Sequence, residues 1–302
     1  MSVSSLYVLH GIVNNATFLS QISSSRTTPG IDVQIAMAAG YPQPLFAWNM
    51  GQRAAIQFDC EQLKTVLDLT GITIADLSAN NTDLYFKKVS HMASRVADAN
   101  ASHIRLRMAQ AGLRCDRITA GHRQQASGQC VVYAPYDGTN EPVVPAGSVV
   151  LAGTPSAAEQ FVAGPISING TQYAGVQDLT IDFGREMIEL GGDGELYDTF
   201  AAERETKPVV TARITDNPWP VLGFNGLGIT SFAVYLRAAN RTARYADASE
   251  VHVKFSASAG YAIIDQTDAG GNDDGITTIR CTLEATSGAG TALTLDTTSA
   301  IT

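Results

Sequence analysis

Apolar residues in this chain recur in short runs or at every second position, a spacing that predicts strands rather than long helices. Ala55–Cys60 and Val209–Ile214 are apolar or alternating and rich in β-branched residues. His103–Met108 alternates strictly, with Ile104, Leu106 and Met108 on one face and His103, Arg105 and Arg107 on the other. Further on, Val251, Val253 and Phe255 alternate with His252 and Lys254 in the same way. Such stretches suit an antiparallel sheet covered on one side, and His103 and His252 are expected on its polar face in structural or exposed roles. One short helix is predicted over residues 60–69, capped by Asp59 and burying Leu63, Val66 and Leu67. A still shorter one is predicted near residue 219, where Asp216 or Asn217 can cap and Pro218 and Pro220 are confined to the first turn.

These elements recur in one order. Residues 46–58 lie over residues 200–212 at a constant offset of 154. Ile31-Asp32-Val33 is set against Ile181-Asp182-Phe183, Gly71-Ile72-Thr73 against Gly228-Ile229-Thr230, and Leu84-Tyr85-Phe86 against Val234-Tyr235-Leu236. Residues 103–108 follow with 250–255, then 128–131 with 279–282. An ordered series of this kind is the mark of internal repetition. Five prolines between Pro135 and Pro165 mark the boundary, giving units at 1–150 and 151–302. The expected fold is mainly β with a minor helical part: a tandem duplication in which each unit carries one short helix.

Composition narrows the function. The chain has 302 residues and a formal charge of −9, and only 16% of its residues are charged. No apolar run is long enough for a membrane-spanning helix, and the charge has the wrong sign for a basic nucleic-acid reader. So few charges on so long a chain imply that much of its surface is buried against other chains. No basic stretch precedes the first apolar residues, so no secretory signal is expected. Cys60, Cys115, Cys130 and Cys281 form no CxxC pair and read as reduced core thiols. The five histidines lack metal spacing, and residues 265–275 read as a hairpin turn rather than a calcium loop. No nucleophile elbow, zincin motif or phosphate loop is present, so neither enzyme chemistry nor a cofactor is expected.

The charge is unevenly shared. Residues 1–150 hold 11 basic and 10 acidic side chains, leaving 9 and 19 for residues 151–302. The excess gathers at Asp182, Glu186, Glu189, Asp193, Glu195, Asp198, Glu203 and Glu205 around a Gly-rich turn, which predicts a long acidic hairpin arm. That arm is either a solvated loop or one that docks a neighbour or lines an anionic surface.

The passage Gly175-Val176-Gln177-Asp178-Leu179-Thr180-Ile181-Asp182-Phe183-Gly184, with Gly192-Asp193-Gly194-Glu195-Leu196-Tyr197-Asp198-Thr199-Phe200 and Lys207-Pro208-Val209-Val210, resembles the major tail tube proteins of long-tailed bacteriophages. The likeness is to the type whose fold is duplicated in one chain and is strongest over residues 165–285; the first unit lacks the acidic arm. It implies a β-sandwich or barrel unit whose strands join those of neighbours into a closed ring of three chains. It further implies stacking of rings through arms at 24–45 and 182–205. The expected setting is the virion tail, made in the host cytoplasm and not inserted in a membrane. Expected partners are copies of the chain itself, the tape measure, tail terminator and distal tail ring proteins, and DNA in passage. A distal ring or injection-device subunit of the same fold, or a β-sandwich surface-binding protein, stand as alternatives.

Overall fold

The computed structural model describes residues 5–72, 80–91, 93–155, 159–192, 194–239, 251–268, 275–287 and 290–301. The molecule is mainly β. The first half opens with β1 (Ser5–Asn14), β2 (Thr17–Leu19) and β3 (Ile22–Thr28), followed by β4 (Ile31–Ala36), β5 (Phe46–Gln52) and β6 (Ala55–Cys60). The helix α1 (Leu63–Thr70) comes next, then β7 (Thr82–Ser90), β8 (His103–Met108), β9 (Gly112–Gly121), β10 (Gln124–Tyr133) and β11 (Val144–Val149). The second half begins β12 (Phe161–Ile168), β13 (Thr171–Tyr173), β14 (Val176–Asp182), β15 (Arg185–Leu190), β16 (Phe200–Thr206) and β17 (Val209–Ile214). It ends with α2 (Trp219–Leu222), β18 (Leu227–Ile229), β19 (Phe232–Ala238), β20 (His252–Ala257), β21 (Gly260–Thr267), β22 (Thr277–Leu283) and β23 (Thr294–Ser299).

Two five-stranded sheets have matching orders, β11-β8-β7-β1-β2 and β23-β20-β19-β12-β13. The third large sheet has nine strands, ordered β18-β21-β22-β17-β14-β9-β10-β6-β3. Each half supplies four of its main strands in one order, β9-β10-β6-β3 and β21-β22-β17-β14. Registers agree as well: Ser25 faces Phe58 where Leu179 faces Ala212, and bulges fall at Ile22/Ser24 and at Val176/Asp178. Through β17 the counterparts differ by 154 in number, and through β9, β10, β21 and β22 by 149, since Gln129 opposite Arg117 answers to Thr278 opposite Gln266. The match of Ile31 with Ile181 does not hold in space. Ile181 lies in β14, the counterpart of β3, whereas Ile31 opens β4 and answers to Arg185.

Alternation explains how one core serves all three sheets. Ile56, Phe58 and Cys60 of β6 and Val210, Ala212 and Ile214 of β17 turn inward, where Ile12, Leu84, Met108, Val234 and Phe255 of the flanking sheets meet them. All four cysteines are buried free thiols, and burial pushes Cys281 up to about 12. Helix α1 buries the stripe Leu63, Val66 and Leu67.

Its cap differs from expectation. Asp59 lies in β6 and takes the Ser24 hydroxyl, while Gln62 stands at the N-cap without capping the helix by its side chain. The Gln62 amide oxygen instead accepts the backbone N–H groups of Ser20 and Gln21. The free N–H groups of Lys64 and Thr65 donate to the Glu159 carboxylate, at 2.8 and 3.3 Å, from the segment leading into the second half. Glu159→Ala should therefore cost about 1 kcal/mol in urea unfolding, the usual worth of a helix cap. An unchanged midpoint would show that water replaces the carboxylate there. In the second helix Pro218, rather than Asp216 or Asn217, stands at the N-cap with no side-chain cap; Asn217, one residue earlier, accepts the N–H of Trp219 at 3.1 Å.

The two histidines play the structural role expected of them, but not on the polar face. Both are fully buried, and each ring accepts a backbone N–H through Nδ1: Lys88 to His103 at 3.0 Å and Ala238 to His252 at 2.9 Å. Strict alternation put them on the polar face; a backbone partner made burial affordable there.

Candidate assembly interface

The halves are joined edge to edge by β14 and β9, which pair antiparallel from Asp178 opposite Gly121 to Asp182 opposite Arg117. Backbone bonds extend the ladder at both ends, His122 N to Gln177 O at 2.7 Å and Phe183 N to Asp116 O at 3.0 Å. An ion pair crosses it, with Arg117 Nε 3.0 Å from Asp182 Oδ2. On the same outward face Arg213 meets Asp178 at 3.0 Å and Arg280 meets Asp265 at 3.6 Å. That face is polar, and the cations of these pairs are matched locally by aspartates.

The two strands at this joint have counterparts at the two ends of the sheet. β14 answers to β3, and β9 to β21. Among the described residues β3 is the last strand of the sheet, and beyond it no strand pairs. On the opposite side, β18 covers β21 only at Gly260–Ala262 and leaves the stretch through Asp268 as an edge. β3 is correspondingly polar, with Ser23, Ser24, Ser25 and Arg26 exposed, as suits a strand edge that must stay soluble.

Each half also projects a two-stranded arm, β4–β5 following β3 and β15–β16 following β14. A left-handed glycine starts each arm: Gly30 at φ 59° and Gly184 at φ 56°, each accepting a backbone bond at 3.1 Å, from Arg53 and Lys207 respectively. The second arm lies over the first half. Gln52 N donates to Leu196 O at 2.8 Å, Tyr136 N to Asp198 O at 2.8 Å, and Arg53 Nε stands 2.8 Å from Asp198 Oδ2. The Tyr136 and Tyr197 rings are 5.3 Å apart.

Most of the acidic residues singled out in the sequence are spent in this arrangement. Asp182 engages Arg117, Glu186 engages Arg204 at 3.3 Å, Asp198 engages Arg53, and Glu205 engages Lys207 at 2.6 Å. Glu203 accepts the Thr206 hydroxyl at 2.6 Å. Glu189 is half-buried against the first half, and burial raises its carboxyl above the ordinary range despite Arg53 nearby. At the turn, Glu195 donates its N–H to Gly192 O, and Asp193 lies outside the described residues. Asp182 belongs to the sheet rather than the arm, and residues 24–28 belong to an edge strand, so the arms begin at 31 and 185.

What charge reading missed is the first arm. Ile31, Val33, Ile35, Met37, Tyr41, Leu45, Phe46 and Met50 are all exposed there, a concentration beyond the scattered apolar exposure ordinary on a protein surface. The signal was present as the alternation Ile31, Val33, Ile35, with Asp32 the single acidic residue between 31 and 52. Among the described residues no group of three or more His, Cys, Asp or Glu could hold a metal ion. No protein family matches the chain, and no curated protein matches it.

Proposed function

We propose that the chain is a structural subunit whose copies join head to tail into closed rings, and that these rings stack into the hollow tail tube of a long-tailed bacteriophage. The observation that carries the head-to-tail step is the correspondence of strands. β14 and β9 bond inside the chain, and their counterparts β3 and β21 are left open at opposite ends of the same sheet. Transposing the internal register puts Thr28 of one copy opposite Gln266 of the next, Thr27 opposite Thr267, and Arg26 opposite Asp268, an opposite-charge pair favouring that alignment. A heterologous contact that repeats either closes or runs on as a filament, and closure removes the sheet edges.

The tail-tube reading adds the sequence resemblance, including tandem duplication and a ring of three chains. Eight main strands per chain then make a barrel of about 24, roughly 50 Å across at a strand spacing of ~4.8 Å and a tilt of 40–45°. Its inner face would be the outward face of the nine-stranded sheet. There Arg117, Arg213 and Arg280 already have aspartate partners, so few free cations would hold the phosphates of passing DNA. On this reading the working location is the virion tail, and the tape measure, tail terminator and distal ring proteins are further partners.

Sedimentation and electron microscopy of the purified chain test it. Rings of three chains stacked into hollow tubes are the expected result. Single rings that never stack would favour a distal ring subunit, and a monomer at all concentrations would overturn the proposal.

A further inference from the structure

A cavity in the second half repeats one that the molecule fills by itself in the first. Beneath the second arm, Gln52, Arg53, Ala54, Ala55, Tyr133 and Ala134 form a recess that the arm closes with Glu189, Asp198 and Ala201, leaving a volume of about 40 Å³. The counterparts of those six wall residues are Thr206, Lys207, Pro208, Val209, Thr282 and Leu283. They line a cavity of about 620 Å³. No arm lies in it, because the arm of the first half starts beside the open edge β3 and not beside this recess.

The residues of the first arm that answer to Glu189, Asp198 and Ala201 are Ile35, Pro44 and Ala47. Ile35 and Ala47 stand opposite each other in the β4–β5 ladder, as Glu189 and Ala201 do in β15–β16, so both pairs share a face of their arm. The chemistry changes in step. In the filled recess a carboxylate faces Arg53, whereas the empty one adds Phe183, Leu293 and, in place of Ala134, Leu283. Ile35 is 58% exposed and apolar.

We propose that the first arm of one copy seats Ile35, Pro44 and Ala47 in the cavity walled by Lys207, Val209 and Leu283 of the next copy. The inference rests on head-to-tail association and assigns that contact its second half: β3 pairs with β21 of the neighbour, and the arm that follows β3 plugs the neighbour's recess. It accounts at one stroke for the cluster of exposed apolar side chains on the first arm and for an open apolar cavity.

Two variants and a cross-link test it. Ile35→Asp would bring a carboxylate among Phe183, Leu283 and Leu293 beside Glu203 and Glu284, where Lys207 is already paired with Glu205, so association measured by sedimentation should weaken at least about 30-fold. The monomer should melt as the wild type does, since the side chain is exposed before association. Ile35→Leu should associate like the wild type. A photoreactive benzoylphenylalanine at position 35 should cross-link to residues 206–209 or 282–284 of a second copy. Cross-links elsewhere, or an Ile35→Asp variant that associates normally while the wild type assembles, overturn this contact and leave the ring reading intact. A wild type that stays monomeric overturns both.

Discussion

Thr27→Pro is expected to give a folded chain that no longer associates. Gln177 of β14 and Phe183 just beyond it direct backbone groups across the joint to His122 and Asp116, so by alternation Leu179 and Ile181 do the same. Their counterparts on β3 are Ser25 and Thr27, whose backbone groups therefore point away from β6 into the open edge. Proline at Thr27 removes an outward N–H and sets its ring where the neighbour's strand must come. The lost bond leaves an acceptor on the partner unpaired, which costs about 1–3 kcal/mol at each junction and recurs at every junction of a ring. Edge strands tolerate proline, so the monomer should lose only about 1 kcal/mol in urea unfolding. Proline at Arg26 would strike the inward bonds to β6 instead and lower monomer stability first. Tubes or rings formed by Thr27→Pro at wild-type concentrations would show that β3 is not the joining edge.

How much of this was readable beforehand depended on how local the cause was. Strands β6, β8 and β17 follow from alternation and match their limits in the sequence; the stripe of α1 was also legible, although the helix runs Leu63–Thr70 rather than 60–69, since β6 holds Cys60. Constant spacing between residues 46–58 and 200–212 likewise survives in three dimensions, because both arms have equal length. Partnerships between distant segments were not readable. Nothing in the sequence of Glu159 says that it caps a helix 94 residues away, and Asp59 looked like the better cap until the strand took it. His103 obeys the alternation of a polar face, but the N–H that lets it be buried belongs to Lys88 on another strand.

The candidate interface shows the same division. The acidic arm was visible as composition, yet its carboxylates are largely matched by Arg53, Arg117, Arg204 and Lys207, two of them from the first half. Counting charges along the chain exaggerated a surface whose ion pairs form only in the fold. Such exposed pairs are worth at most about 1 kcal/mol each, so they position the arm more than they hold it. The first arm was expected only from the resemblance, as part of 24–45; its apolar character was not singled out because single exposed apolar residues are ordinary, and only the structure gathers them on one hairpin.

The second large effect is a contrast between two glycines that do the same local work. At Gly184 a Cβ would overlap the carbonyl oxygen of Lys207, and at Gly30 that of Arg53. In each case a left-handed backbone starts an arm, so alanine must both strain the turn and push the arm off its line. Gly184→Ala misplaces an arm docked within the chain. It adds loss of the Lys207 N–H bond, the Gln52–Leu196 bond and the Arg53–Asp198 pair to about 1–2 kcal/mol of backbone strain. A loss of about 2–4 kcal/mol in monomer stability is expected. Gly30→Ala strains the same turn but moves an arm that touches little inside its own chain, so the monomer should lose only the local share. Its larger effect should fall on association, because the displaced arm carries Ile35 away from the neighbour's recess. Urea unfolding and sedimentation of both variants decide the matter. Equal losses of monomer stability, with association untouched by Gly30→Ala, would mean that the first arm contributes nothing between copies.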